Sequence, residues 1–266
     1  MADTIQVNGV TIAFTRRGKG PPLLLMHGQE ADHSMFNALS ERLDGDFTIV
    51  AYDQRDCGAT INPEEPCTLS DLADDAAALV AALGFSRAHV YGSSFGGIVA
   101  QFFAARFPDR VDRLVLGNTW RAGLSVRDVN PEGVARLTQL RADLDANARE
   151  IAEMFFTPDF VRDHPSIVDM FRPNSRSPQK RARRGAMTSQ TVSADISAFP
   201  RPVLLLSGSE DRVIPHIATA ALAEGALRTQ FVLLDGVGHV GAIQAPDRVA
   251  EIAKRFFLDK SNKGGH

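Results

Sequence analysis

The amino-acid sequence predicts an α/β fold: a mostly parallel, doubly wound sheet with an antiparallel hairpin at its N-terminal end and a helical insertion late in the chain. Three observations carry this. Short apolar runs without polar alternation recur along the chain, as expected of strands buried on both faces. Helical stretches separate them. One long segment, residues 121–197, holds no convincing strand at all.

Residues 4–7 and 10–15 are β-prone and joined by Asn8-Gly9, a strong signal for a two-residue hairpin. The apolar runs follow at 23–26, 47–52, 88–91, 113–116, 203–206 and 230–234, each bounded by glycine, asparagine or aspartate. Thr68-Leu-Ser-Asp71 has the pattern of a capping box, opening a helix through Leu72, Leu79, Val80 and Leu83 that Gly84 stops. Further helices are expected over 97–107, closed by Pro108, and over 247–257. Helical periodicity punctuated by prolines fills 121–197. The expected organisation is a core of residues 1–120 and 198–260, a helical cap insertion at 121–197 and a flexible tail at 261–266.

The chain has 266 residues, 44 % apolar and 23 % charged, enough for one domain with a full core. A formal net charge of −3 gives no electrostatic case for nucleic acid or an anionic membrane. No apolar run reaches the ~18–20 residues of a membrane span. The N-terminal residues lack a basic segment followed by an apolar one, so no signal peptide is expected. Cys57 and Cys67 cannot make a disulfide framework, although one bridge is open to them. These features suggest a soluble, cytoplasmic protein, monomeric or homodimeric, acting on a small molecule.

Gly92-Ser-Ser94-Phe-Gly96 joins a strand directly to a helix. A serine on so tight a turn projects its hydroxyl above the sheet, and the turn accepts only small neighbours. The following helix points free N–H groups toward developing negative charge. A glycine-rich turn whose serine merely caps the helix is the bland reading. Ser93 is the rival serine, but only Ser94 has glycine two residues away on each side. Serine needs a base, and the base a carboxylate. Asp211 lies in Gly208-Ser-Glu-Asp211 and His239 in Gly236-Val-Gly238-His239, each past an expected strand. Glu210 and Asp235 are rival acids. His27 reads as a turn-fixing residue, His89 as core, and His216 as a surface or cap contact.

With these residues in place the chain resembles the α/β-hydrolase superfamily over essentially its whole length, through the His27-Gly28 turn, the Asp53-Gln-Arg55-Asp-Cys-Gly58 loop, the Ser94 elbow and the Asp211 and His239 loops. The resemblance implies an α/β-hydrolase fold and an oxyanion hole from the backbone N–H groups of Gln29 and Phe95. The short insertion and the run from Arg110 to Asn118 look like small esterases and enol-lactonases. The Asp53-Gln-Arg55 loop looks like proline iminopeptidases, whose oxyanion loop this chain does not share. The expected chemistry is hydrolysis of an ester or lactone through an acyl-enzyme on Ser94. Aminopeptidase, carbon–carbon hydrolase and ligand-binding roles stand as alternatives. No metal cluster or dinucleotide fingerprint is visible, so no cofactor is expected.

Trp120, Val213 and Val240 are candidate pocket walls. Met154-Phe-Phe156 and Met170-Phe171 read as core. Arg172, Arg176, Lys180, Arg181, Arg183 and Arg184 read as a solvated helix face, the alternative being attraction of an anionic substrate. Glu30 and Asp32 would bind a cationic group or cap the next helix.

Overall fold

The computed structural model describes residues 2–172, 176–224 and 228–259; the expected tail at 261–266 lies outside them. Eight strands form one sheet: β1 (Asp3–Val7), β2 (Val10–Arg17), β3 (Pro22–Met26), β4 (Thr48–Tyr52), β5 (Ala88–Ser93), β6 (Val111–Gly117), β7 (Val203–Gly208) and β8 (Thr229–Leu234). Their order is β1-β2-β4-β3-β5-β6-β7-β8. β1 and β2 pair antiparallel, as does β2 with β4, and the rest are parallel. The hairpin turns at Asn8 and Gly9, both at positive φ as that tight turn requires.

β3, β4, β5 and β7 are buried almost throughout, because helices cover both faces of the sheet. One face packs against α2 (Leu69–Ala82) and α3 (Phe95–Arg106), the other against α1 (Asn37–Leu43) and α11 (Pro246–Leu258). The Thr68 capping box forms with both reciprocal bonds to Asp71. Residues 230–234 read as a buried strand, but β8 is the last in the sheet, and Phe231 and Leu233 are 38 % and 42 % exposed. Phe47 falls outside β4 and buries its ring against His89 and Phe257 instead.

Between β6 and β7 the described residues carry α4 (Val126–Val129), α5 (Pro131–Leu140), α6 (Leu144–Phe155), α7 (Pro158–Asp163) and α8 (Pro178–Thr188), and no strand. After β7 come α9 (His216–Ala220) and, beyond β8, α10 (Gly241–Gln244). None of the described helices is long and apolar enough to cross a membrane. β3 pairs with both β4 and β5, so the winding direction reverses there, and a crevice opens beyond the carboxyl ends of β3 and β5. The His27-Gly28-Gln29 turn leaves β3 at that point, and Ser94 leaves β5.

Candidate active site

Ser94 has φ 54° and ψ −121°, a strained conformation that the close packing around it imposes. A Cβ on Gly96 would stand 2.0 Å from Met26 O, and one on Gly92 2.4 Å from Gly96 O. Only glycine lets α3 begin this near the end of β3. The Ser94 amide donates to Gly117 O at 2.8 Å, and Thr119 Oγ1 donates to Ser94 O at 2.7 Å. Ser94 sits at the N-cap of α3, yet its side chain makes no capping bond, which disposes of the helix-capping reading. Its hydroxyl meets His239 instead.

His239 Nε2 lies 2.9 Å from Ser94 Oγ, and His239 Nδ1 lies 2.8 Å from Asp211 Oδ2. A carboxylate only accepts, so the Nδ1 proton faces Asp211 and Nε2 is left to accept from the serine hydroxyl. The His239 and Asp211 side chains are 3 % and 0 % exposed. Asp211 Oδ1 accepts the amides of Val213 and Ile214 at 2.9 and 2.8 Å, and Oδ2 also accepts Asn118 Nδ2 at 2.9 Å. Such a carboxylate is fully spoken for and holds one position. Glu210, the rival acid, is exposed, and Asp235 takes a hydroxyl contact from Ser209. Phe155 O accepts the His239 amide at 2.7 Å, and the Phe155 ring meets the imidazole edge-on at 5.4 Å.

Ser94 and His239 open into a cavity of about 390 Å³, within the size range of small-molecule sites. Gln29 and Phe95 line it, as do Trp120, Val213 and Val240, so every site residue expected from the sequence except buried Asp211 borders this one space. Phe155, Phe156, Met170 and Phe171 also line it. Their reading as core was incomplete: the helices between β6 and β7 use the same aromatic side chains to pack and to wall the cavity. The lining is mostly apolar. Its charged groups are Glu30 and Arg141, paired at 3.2 Å. Asp32 caps the short turn at Ser34.

The basic stretch is not simply a solvated face. Arg183 forms a two-pronged pair with buried Asp56, at 2.6 and 2.9 Å. Although burial works against it, hydrogen bonds from Arg183 and Asn62 hold the Asp56 carboxyl below its ordinary range. Arg184 is 1 % exposed and stacks its guanidinium over the Phe95 ring at 4.5 Å. Burial, followed by the charge of Arg184, pushes the His27 imidazole down to about 4. Neutral His27 then fixes its turn: Nε2 accepts the Gln54 amide at 3.0 Å, leaving Nδ1–H to donate to Gly28 O at 2.6 Å. His89 is buried against Phe257, as its place in a strand suggested, and His216 starts α9.

Cys57 and Cys67 are both free and buried. Asp32, His33 and Asp53 bring potential ligand atoms within 4.8 Å of one another. Several of these atoms are engaged within the protein, Asp53 Oδ1 by His33, Asp53 Oδ2 by the Ala59 amide and Asp32 Oδ1 by the Ser34 amide. An open depression of about 620 Å³ over α2 is lined by charges that pair among themselves, Arg55 with Asp75 and Arg106 with Asp74. The sequence reading missed Asn118, Thr119, Gln54 and His33. Asn118 carried one signal, its place at the carboxyl end of an expected strand.

Fold, elbow and hydrogen-bonded loops together are those of the alpha/beta hydrolase class. The chain belongs to the alpha/beta hydrolase fold family, whose signature matches residues 21–246. It is similar to 3-oxoadipate enol-lactonase 2 of Acinetobacter baylyi, at 24 % identity over 96 % of this chain and 97 % of that one. It is also similar to 2-hydroxymuconate semialdehyde hydrolase of Pseudomonas putida, at 27 % identity over 91 % and 89 %. Among solved structures, a thermophilic esterase from Thermogutta terrifontis superposes with a TM-score of 0.80 at 26 % identity, covering 97 % of this chain and 98 % of that one.

Proposed function

We propose that this protein is a serine hydrolase that cleaves a small carboxylic ester or lactone through an acyl-enzyme on Ser94. The observation that carries the reading is the unbroken hydrogen-bond path from Asp211 through His239 to Ser94 Oγ, ending at an apolar cavity. His239 takes the hydroxyl proton as Ser94 attacks the carbonyl, and Asp211 stabilises the imidazolium that forms. The backbone N–H groups of Gln29 and Phe95 receive the oxyanion. His239 returns the proton to the leaving oxygen, and then activates the water that releases the acid. The helical segment at 121–197 acts as a cap that selects the substrate by shape.

The similarity to an esterase and an enol-lactonase supports ester or lactone over amide bonds. The Arg55 side chain of the iminopeptidase-like loop is tied to Asp75 at 2.6 Å and does not reach the cavity lining. We take the protein to act in the cytoplasm as a monomer or homodimer on small molecules.

The test is turnover of a panel of short acyl esters and lactones by the wild type and by Ser94→Ala. The expected result is loss to background in the variant, up to roughly a millionfold for triads that act as a unit. Equal activity of the two proteins overturns the mechanism. Tight ligand retention without turnover by the wild type supports a binding role instead.

A further inference from the structure

Arg184 touches both residues assigned to the oxyanion hole. Its guanidinium stacks on Phe95, and its Nε donates to Gln29 O at 3.0 Å. Its Nη1 donates to Gln54 Oε1 at 3.3 Å, and Gln54 Nε2 in turn donates to His27 O at 2.7 Å. None of these bonds goes to a carboxylate, and Nη2 is buried with no hydrogen-bond partner among the described residues. A buried cation without an ion pair is costly to keep. Its location against the carbonyl of one hole residue and the ring of the other gives it a use.

We infer that Arg184 is a positioning residue of the oxyanion hole, tying α8 to the two backbone N–H groups that receive the developing charge. The inference rests on the acyl-transfer reading above. The geometry works through peptide planes. In a trans peptide the C=O and N–H point in opposite directions, so fixing one aims the other. Three successive carbonyls of the turn are held on its far side: His27 O by Gln54, Gly28 O by His27 Nδ1, and Gln29 O by Arg184. Holding Gly28 O aims the Gln29 N–H away from the His27 ring. Arg184 then stops the next peptide from rotating and pulling Gln29 out of line.

The turn stands beside the nucleophile, since a Cβ on Gly28 would lie 3.7 Å from Ser94 Cβ. Phe95, the other donor residue, has its ring clamped under the guanidinium. Gly185 and Thr188, on the same helix, line the cavity. Arg184 is therefore the specific contact through which α8 bears on the hole.

The experiment compares wild type, Arg184→Met, Arg184→Lys and Arg183→Met. Arg183→Met loosens the same helix by breaking the Asp56 pair but touches neither Gln29 nor Phe95. Ser94 labelling by a fluorophosphonate, followed by intact mass, reads the hole without a known substrate, and kcat and KM are taken on the best ester. Arg184→Met is expected to lower both kcat and the labelling rate by about 10- to 100-fold, the scale of a misaimed rather than absent donor. KM should change little, and Arg183→Met should label near the wild-type rate. Should Arg184→Met fail to fold, Arg184→Lys, which keeps the charge but not the planar fork, is expected to show the same loss. Labelling of the Arg184 variants at the wild-type rate, or an equal loss in Arg183→Met, overturns the inference while the Ser94 reading stands. A wild type that resists labelling overturns both.

Discussion

Ser94 Oγ and His239 Nε2 lie 2.9 Å apart although 145 positions separate them in the chain. The contact exists because β5 and β8 bring their carboxyl ends to the same side of one sheet. His239 is then fixed from behind by Asp211, so removing the carboxylate should leave a serine and an imidazole in place but misdirected.

Asp211→Asn is expected to keep the fold and lower kcat by about 10⁴-fold, because an amide in place of the carboxylate favours the wrong imidazole tautomer. Glu210→Gln should stay close to wild type, its side chain being exposed. Steady-state kinetics on one ester checks both, and the reverse order would make Glu210 the acid.

Two glycines to alanine should move in opposite directions. At Gly96 the added methyl meets Met26 O at 2.0 Å and His27 O at 2.6 Å, both backbone atoms. Gly96→Ala should cost about 1–3 kcal/mol or more and impair catalysis. At Gly185, within α8, an added Cβ meets nothing within 4 Å. Gly185→Ala should stabilise the protein by about 0.5–1 kcal/mol, the ordinary helix gain. Chemical denaturation with urea measures the two.

Stability should fall on mild acidification before the carboxylates titrate. Burial pushes His89 down to about 4, and burial with Arg184 does the same to His27. Both bind a proton more readily when unfolded, with an ordinary value near 6.5. The folded state therefore keeps full stability above about pH 6.5 and loses up to about 1.4 kcal/mol per pH unit per histidine between there and about pH 4. His89→Leu should flatten that slope in a plot of unfolding free energy against pH. An unchanged slope would mean that His89 is not neutral when folded.

Trp120 is 3 % exposed and lines the cavity, while its indole Nε1 donates to Leu124 O at 2.9 Å. Trp120→Leu should enlarge the cavity and shift the optimum of kcat/KM toward longer acyl chains. It should also destabilise the protein, since the bond to Leu124 O is lost and buried packing volume is removed.

The Glu30–Arg141 pair at the cavity is about half exposed, so breaking it should change stability by less than about 1 kcal/mol. Arg141→Gln should instead lower kcat/KM for esters carrying a second, free carboxylate relative to neutral esters, by up to about fivefold. Equal loss for both classes would remove Arg141 from substrate selection.

The elements that could be read from the sequence are those whose requirements are local. Asn8-Gly9, the Thr68–Asp71 capping box and the glycines flanking Ser94 each state a backbone conformation in two to five contiguous residues, and β3, β4 and β7 announce their double burial by apolar runs. The loops bearing Asp211 and His239 were visible for the same reason, the first following Gly208 at a strand end and the second as a glycine-rich turn past a strand. What only the tertiary structure decided is who meets whom. Arg183 and Arg184 sit in a run of basic residues that reads as one solvated face, yet one closes on Asp56 and the other is swallowed behind the Gln29 turn. Asn118 reaches Asp211 across 93 positions, and Phe155 serves core and cavity at once. A helix's sequence states its period, but which arc of that period faces inward depends on the surface it docks against, and that surface is assembled from residues far away in the chain.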